Sequence, residues 1–305
     1  MSFWDHVEAL RGVLLKSGTL LVGLAVVFFI AMPRIFDSVV LAPCHADFAL
    51  YRLFSHISGA VPGFPDFSAE GFDVKLINIK LASQFFIHMS TSFWLALIVA
   101  FPMIVYWIWS FVAPGLYPGE KRGMRTAFLL GNVMFYIGVV VGYFLVFPLT
   151  LRFLAEYQVS EAVPNQISLE SYMDNFVTLI LMMGVVFELP LVAWLLGVFG
   201  LLSRSFFGTY RRHAVVALLV LAAIVTPTGD PFTLSVVFLP VYGLWEMSAL
   251  LVPKHRPDEE DDAAVAAPAQ PAAAPSAADV AAELGRLYMP RYKRREESGE
   301  IRDER

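Results

Sequence analysis

The strongest constraint on this chain is a series of long apolar runs that contain few or no charged residues. Six such windows occur: one between residues 16 and 34, one within 83–119, and others at 126–151, 172–202, 214–229 and 232–252. An apolar stretch of about 18 residues or more can cross the hydrocarbon core of a bilayer as a helix. The sequence therefore predicts an all-α membrane protein with six transmembrane helices, in keeping with its 57% hydrophobic and 16% charged composition.

The fifth window is shorter than the others. Its sixteen residues, at about 1.5 Å each, reach about 24 Å, which is less than the roughly 30 Å of bilayer hydrocarbon. A span this short must thin the bilayer, extend its flanking side chains to the interface, or pack against neighbouring helices. Local thinning is a physical possibility at this position.

The distribution of lysine and arginine orients the predicted spans, because cytoplasmic loops carry the excess of positive charge. The segments on the side of the N-terminus hold ten of these residues, and the segments on the other side hold five. We therefore predict that both termini are cytoplasmic. The segments 34–82 and 152–171 are predicted to face outward.

Composition divides the chain into two predicted parts. Residues 257–305 begin with an acidic run, continue with an Ala/Pro tract at 263–278, and account for the whole net charge of −5. Such a tract cannot bury enough apolar surface to fold, so we predict a disordered cytoplasmic tail after a transmembrane domain at 1–256. The basic cluster at 291–295 can touch anionic lipid or nucleic acid, but a solvated charge run explains it, and we predict no nucleic-acid partner.

The chain begins with a predicted amphipathic helix. Phe3, Val7, Leu10 and Leu14 recur at helical spacing and form an apolar stripe, while charged residues occupy the other faces. Glu8 and Arg11 stand three residues apart, where opposite charges on a helix can pair. The stripe itself is explained by an interfacial helix that leads into the first span.

The fourth window contains an ionisable residue, Glu188, near its middle. A charge at that depth costs at least about 2.5 kcal/mol on insertion scales, so a partner or water should offset it. Pro190 follows two residues later and removes a backbone donor, which tends to kink a helix, and Gly184 one turn earlier allows close approach. The last window carries a second acid, Glu246, nearer to the cytoplasmic end, where it can reach the interface.

Two further acids stand at unusual places. Glu120 follows two proline turns in the first cytoplasmic loop, on the side that otherwise collects cations such as Lys121 and Arg122. Its carboxylate can bind a guanidinium group with two hydrogen bonds, or it can pair with its own arginine neighbours. Asp230 lies in the turn before the last span, where it can simply cap the helix that follows.

The sequence shows no catalytic constellation. It has no metalloprotease, serine-hydrolase or nucleotide-binding motif, and its single cysteine, Cys44, excludes an internal disulfide and any paired-cysteine site. We therefore predict a protein that is not an enzyme and that needs no metal or cofactor. A secondary transporter that uses Glu188 as a proton or substrate site is the alternative, although the two halves of the chain show no repeat.

Several ordered motifs resemble the TatC family, the polytopic core of the twin-arginine protein translocase. The resemblance covers about residues 1–253. The matching segments are His6–Arg11, Ala42-Pro43, Trp109–Arg122, Phe187-Glu188-Leu189-Pro190 and Thr226–Phe232. Each motif is weak alone, but together, in this order across six spans, they form a specific pattern.

The resemblance implies a concave, glove-like bundle in the bacterial inner membrane. It implies a receptor that recognises the paired arginines of signal peptides on folded cargo, works as a homo-oligomer with single-span TatA/TatB-type subunits, and uses the proton-motive force. The signal-peptide residues that it implies are Glu120, Glu8, Arg11, Lys121 and Arg122. The residues that it implies for docking partner helices are Glu188, Pro43 and Asp230.

Two positions depart from the family pattern. The family's N-terminal glutamate lies two residues before the arginine, where this chain has Ala9, and Glu8 is displaced by about 100° around the helix. The family often has a glutamine shortly after the phenylalanine of the last outward turn, where this chain has Thr233 and Leu234.

Overall fold

The computed structural model describes residues 3–60, 72–112, 120–160, 162–163, 165–198 and 201–252. All of them belong to the first of two compact units, Met1–His255, and the predicted tail at 257–305 lies outside the described residues. Within these ranges the chain forms ten α-helices and two short strands. They are α1 (Phe3–Ile35), α2 (Ala49–Ala60), β1 (Leu76–Ile77), α3 (Ser83–Val112), α4 (Glu120–Val141), α5 (Phe147–Glu156), β2 (Ile167–Ser168), α6 (Leu169–Val186), α7 (Leu189–Val198), α8 (Arg204–Thr209), α9 (Arg211–Val225) and α10 (Pro231–Leu251).

Five helical segments in the described ranges are long and apolar enough to cross a membrane, which confirms an all-α membrane protein. These segments are His6–Cys44, Ser83–Phe111, Ala127–Glu156, Leu169–Val198 and Pro231–Leu251. The remaining predicted span corresponds to α9, whose 15 residues reach about 22 Å. The predicted number of six spans and the predicted side of the termini remain predictions.

The amphipathic N-terminal helix and the first span form one continuous helix, α1. It runs antiparallel to α3: the His6 and Phe111 rings lie 4.2 Å apart at one end, and the Phe29 and His88 rings lie 4.0 Å apart at the other. We call the second of these ends, where α1 finishes and α3 begins, the cap end of the bundle. A π-helical turn (Phe36–Val40) and a 3-10 turn (Ala42–Cys44) follow α1 there.

Prolines interrupt the hydrogen bonding of these helices, and side chains of neighbouring helices repair three of the interruptions. A proline has no N–H for the carbonyl four residues earlier, and in lipid that carbonyl must find another donor. Pro33, Pro102 and Pro43 each leave one such carbonyl. The carbonyl left by Pro33 is Phe29 O, which lies 2.8 Å from His88 Nε2. The one left by Pro102 is Ile98 O, 3.2 Å from the Tyr136 hydroxyl, and the one left by Pro43 is Val39 O, 2.8 Å from the Tyr143 hydroxyl.

The core of the bundle centres on α6. Its Leu179 and Met183 are fully buried, and α9 and α10 add the fully buried Val225 and Val237. Glycine allows α4 to approach α6 at backbone distance, since a Cβ atom at Gly138 would lie 2.5 Å from the carbonyl oxygen of Met183. The third and fourth predicted spans therefore form the tightest helix pair around the site described below.

The cap end is closed by short segments tied to a buried arginine. Strands β1 and β2 pair in parallel, with Leu76 opposite Ile167. Arg152 of α5 is 7% exposed, its guanidinium lies 5.7 Å from the ring centroid of Tyr51 and 5.3 Å from that of Phe72, and its Nε donates to Glu156. One cation thus joins three segments that are distant in the sequence.

Candidate functional site

The fourth predicted span is broken at Glu188. Helix α6 ends at Val186 and α7 begins at Leu189, because Pro190 cannot donate to the carbonyl of Val186. The amide of Glu188 bonds to Val185 O at 3.0 Å, a tighter turn than an α-helix makes. The kink predicted from Pro190 is therefore a short interruption between two helices, at Phe187 and Glu188.

The carboxyl of Glu188 lies against Gly131 of the neighbouring helix α4. A Cβ atom at Gly131 would be 2.9 Å from Glu188 Oε2 and 2.5 Å from Leu191 Cδ2. The glycine therefore provides the space that this carboxyl occupies. Glu188 is half-buried, and no side chain within the described ranges hydrogen-bonds or ion-pairs with its carboxyl. The Glu188 carboxyl is thus a partly exposed polar group where the third and fourth predicted spans touch.

Glu246, the acid of the last predicted span, is held by partners within the protein. Arg211 Nη2 at the start of α9 donates to Glu246 Oε2 at 2.5 Å, and the Tyr242 hydroxyl donates to Glu246 Oε1 at 3.0 Å. The sequence placed Glu246 at the interface but did not identify Arg211 as its partner. Of these two membrane acids, Glu188 is therefore the one left for a partner outside the described residues.

Asp230 caps α10, as the sequence predicted. Its Oδ1 accepts the Thr233 amide at 2.7 Å, and its Oδ2 accepts the Thr228 hydroxyl at 2.7 Å. Burial alone would raise the pKa of Asp230, but these hydrogen bonds to the carboxylate outweigh it and lower the pKa below its ordinary value. A role for Asp230 in docking a partner helix remains a prediction.

Pro43 is buried in the 3-10 turn at the cap end. Besides freeing Val39 O for Tyr143, it offers its own carbonyl to the Tyr51 hydroxyl at 3.1 Å. Its ring is therefore enclosed by the protein, and a docking role for Pro43 would act through the shape of this turn. No described hydrogen bond or ion pair joins Pro43, Asp230 and Glu188 to one another.

The predicted signal-peptide residues lie around the opposite end of the bundle. Glu8 and Arg11 of α1 are both exposed, and no ion pair joins them to each other or to another described side chain. Helix α4 begins at Glu120, while the side chains of Glu120, Lys121 and Arg122 lie outside the described residues. His6 packs against Phe111 near the end of α3, so the N-terminal motif reaches the helix that leads into the loop before Glu120.

One helix connects the two predicted functional regions. Glu120 is the first residue of α4, and Gly131, which contacts Glu188, lies eleven residues along the same helix. At 1.5 Å per residue this separates the two levels by about 16 Å. The sequence contained no signal for this relationship, because Gly131 stands in no motif and its contact residue is distant in the chain.

The described side chains form no metal-binding cluster. No group of three or more histidine, cysteine, aspartate or glutamate side chains comes together within those ranges, and Cys44 is buried. Asp230 caps a helix and Glu246 is paired, whereas the carboxyl of Glu188 has no partner among the described side chains. This arrangement suits recognition by hydrogen bonding.

The chain is similar to a family of membrane transport proteins over most of its length. Residues 5–240 match the family model of TatC, described as Sec-independent protein translocase protein. A Sec-independent protein translocase protein TatC of Blattabacterium sp. subsp. Periplaneta americana is 32% identical over 250 residues, covering 81% of this chain and 93% of that protein. Its counterpart in Deinococcus radiodurans is 38% identical over 178 residues, covering 58% of this chain and 66% of that protein.

The fold has a counterpart among solved structures. A crystal structure of the twin-arginine translocase receptor TatC superposes with a TM-score of 0.61 at 25% identity, covering 81% of this chain and 97% of that chain. The sequence resemblance and the fold therefore point to the same family.

Proposed function

Because this chain belongs to the TatC family of Sec-independent protein translocase proteins, we propose that it is the receptor for twin-arginine signal peptides and the scaffold for single-span partner subunits. Family membership makes it a multi-pass, non-enzymatic membrane component of the Tat translocase. Its proposed ligand is the twin-arginine signal peptide, and its proposed partners are single-span subunits. The membrane is the bacterial inner membrane, both termini are cytoplasmic, and transport of folded cargo uses the proton-motive force.

The observation that carries the proposal is that one helix, α4, begins at Glu120 and contacts Glu188 through Gly131. A carboxylate at Glu120 binds the paired arginines through charge-assisted hydrogen bonds, worth roughly 1.5–3 kcal/mol each before desolvation. We assign Lys121, Arg122, Glu8 and Arg11 to the same proposed signal-peptide contact. The apolar part of a signal peptide bound there can follow α4 into the membrane toward the level of Glu188.

Glu188 is proposed as the contact for partner helices within the membrane. Its carboxyl is half-buried against Gly131 and has no partner among the side chains that the structure describes. A polar group on a partner's span would supply the missing hydrogen bond and offset the cost of holding a carboxyl in lipid. Docking at this position would also place several copies of the chain and its partners in one complex.

The test compares two signal peptides that differ only in their paired residues. A twin-arginine peptide should bind the purified full chain more tightly than the same peptide with two lysines, because lysine cannot form the bidentate contact. Replacing Glu120→Ala should lower the affinity for the arginine peptide at least tenfold and remove most of the difference between the peptides. Binding of the arginine peptide that is unchanged in the Glu120→Ala protein would contradict the assignment.

Complementation tests the function of the whole chain. Expression in a bacterium that lacks its own TatC should restore export of a folded twin-arginine reporter, and Glu188→Ala should abolish assembly with partner subunits while leaving peptide binding at the surface intact. If Glu188→Ala leaves both assembly and export unchanged, the docking role of Glu188 is wrong.

A secondary transporter is the second candidate, and the unpartnered carboxyl of Glu188 is the observation that favours it. Such a protein moves a small solute or protons through a carboxyl of this kind. The two candidates differ in a simple measurement. Proton-coupled solute uptake into vesicles that contain only this chain and no cargo would support the transporter and count against the receptor.

A further inference from the structure

A cavity of about 490 Å³ opens at the cap end, between the end of α1 and the start of α3. Glu188 does not line it. Its walls combine aromatic and aliphatic side chains with three polar ones. The polar members are Asp37, Gln84 and His88, and the apolar ones are Met32, Pro33, Phe36, Phe85, Ile87 and Leu169.

The hydrogen bond made by His88 determines which of its nitrogens is free. Pro33 leaves the carbonyl of Phe29 without its helical donor, and His88 Nε2 lies 2.8 Å from that oxygen. A carbonyl only accepts, so the proton of the neutral ring is on Nε2 and Nδ1 keeps its lone pair. Stacking on the Phe29 ring, with centroids 4.0 Å apart, fixes the plane of the imidazole. His88 thus brings a hydrogen-bond acceptor to the cavity.

The other two polar side chains of the wall also offer acceptor oxygens, although the Gln84 amide carries donors as well. Asp37 contributes a carboxylate and Gln84 an amide oxygen, and neither side chain makes a hydrogen bond or ion pair with any residue that the structure describes. A carboxylate, an amide oxygen and an imidazole lone pair together fit a group with several N–H donors and a positive charge. A primary ammonium has three donors and one charge.

A cation stands beside this acceptor set. Arg34 lies three residues before Asp37, where side chains on a helix are neighbours, yet no ion pair between them is found. Because no ion pair links Arg34 and Asp37, both charges can contact a zwitterion that carries a phosphate and an ammonium. Two large apolar side chains are exposed beside these polar groups: Ile30 of α1, three residues before Pro33, at 74%, and Phe85 of α3 at 59%.

We propose that this cavity binds the headgroup of an aminophospholipid such as phosphatidylethanolamine. The ammonium occupies the acceptor set of Asp37, Gln84 and His88, the phosphate contacts Arg34, and the acyl chains lie on the exposed apolar faces of α1 and α3. The lipid is chosen over a free amine because the acceptors, Arg34 and exposed apolar side chains occur together at the end of a helix long and apolar enough to cross a membrane. The site is independent of the proposed signal-peptide function.

The experiment compares two lipids that differ only in methylation of the amine. The full chain in detergent is titrated with dioleoyl phosphatidylethanolamine or dioleoyl phosphatidylcholine, and bound lipid is counted by native mass spectrometry. Choline has no N–H donors, so we expect about tenfold tighter binding of the ethanolamine lipid. Asp37→Asn should reduce this preference to twofold or less.

The control is Asp73→Asn, which removes the same charge from a carboxylate that pairs with His45 outside the cavity; it should keep the tenfold preference. Arg34→Gln should weaken both lipids equally, because both carry the phosphate. Equal affinity of the wild-type chain for the two lipids, or an unchanged preference in the Asp37→Asn chain, would overturn the proposal. Displacement of the lipid by an equal concentration of soluble phosphoethanolamine would assign the site to a free amine and overturn it as well.

Discussion

The carboxyl of Glu188 occupies space that exists because residue 131 has no side chain. A Cβ atom at Gly131 would stand 2.9 Å from Glu188 Oε2, closer than a methyl group and a carboxyl oxygen can approach. Glu188 and Gly131 belong to different predicted spans, so the position of the acid depends on how closely α4 passes α6 and α7. The position of the Glu188 carboxyl therefore depends on how these helices pack together, and not on its own segment alone.

Gly131→Ala is expected to displace the ends of the Glu188 and Leu191 side chains and to destabilise the chain by about 1 kcal/mol, the low end of the usual cost of adding a methyl group, because both side chains are flexible. Thermal unfolding in detergent measures the cost, and export of a reporter measures the effect on function. Gly23→Ala in α1 is the matched control, because no described atom lies within 4 Å of its would-be Cβ. That substitution should be neutral or slightly stabilising. Equal effects of the two substitutions would contradict the packing argument.

Tyr51→Phe is expected to loosen the cap end. The Tyr51 hydroxyl is fully buried and lies 3.1 Å from the carbonyl oxygens of both Pro43 and Pro148. Burial raises the pKa of Tyr51 above its ordinary value, so the hydroxyl keeps the proton that it donates. Its removal leaves buried carbonyls unpaired, at a cost of about 1–3 kcal/mol. Thermal unfolding should show this loss, whereas Tyr157→Phe, at a side chain 62% exposed, should change little.

Asp230→Ala is expected to cost about 1 kcal/mol, because it removes the cap from the first turn of α10. The folded pKa of Asp230 is lowered, so folding favours the ionised form. The stability that comes from this charge is therefore fully present above the unfolded pKa of about 3.9 and is lost as the pH falls through the lower folded value. Unfolding measured between pH 7 and pH 3 should show less acid destabilisation in Asp230→Asn, which keeps a capping oxygen without the charge. Parallel pH profiles would refute the assignment.

The sequence predicted the features that depend on one segment at a time. Charge-free length predicted the five long helices, residue count predicted that the fifth window is short, and the lack of an N–H at Pro190 predicted a kink near Glu188. The cap at Asp230 followed from its place before Pro231. Each of these rests on local geometry or on transfer of a segment into lipid.

The sequence did not predict which side chains meet across helices. Nothing near Glu246 indicates Arg211, and nothing near Glu188 indicates Gly131, because these contacts depend on the rotation and spacing of helices far apart in the chain. The same holds for the donors that replace proline N–H groups. A proline predicts that a carbonyl is free, but only the packed structure identifies the histidine or tyrosine that bonds to it.

This replacement of a missing donor can be tested at Pro102, where the Tyr136 hydroxyl lies 3.2 Å from Ile98 O. Tyr136→Phe should cost about 1 kcal/mol in the wild-type chain, because the carbonyl of Ile98 then lacks a donor in lipid. In a Pro102→Ala chain the restored N–H bonds to that carbonyl, so the same Tyr136→Phe change should cost almost nothing. A double-mutant cycle of thermal unfolding therefore predicts a coupling of about 0.5–1.5 kcal/mol between the two positions.

The control cycle pairs Pro102→Ala with Tyr106→Phe, since the hydroxyl of Tyr106 bonds to no residue in the described ranges. It should show no coupling. Additive effects at Pro102 and Tyr136 would mean that the tyrosine does not stand in for the proline's missing donor. The bond between Tyr136 and Ile98 O would then be incidental to how the second and third predicted spans are held together.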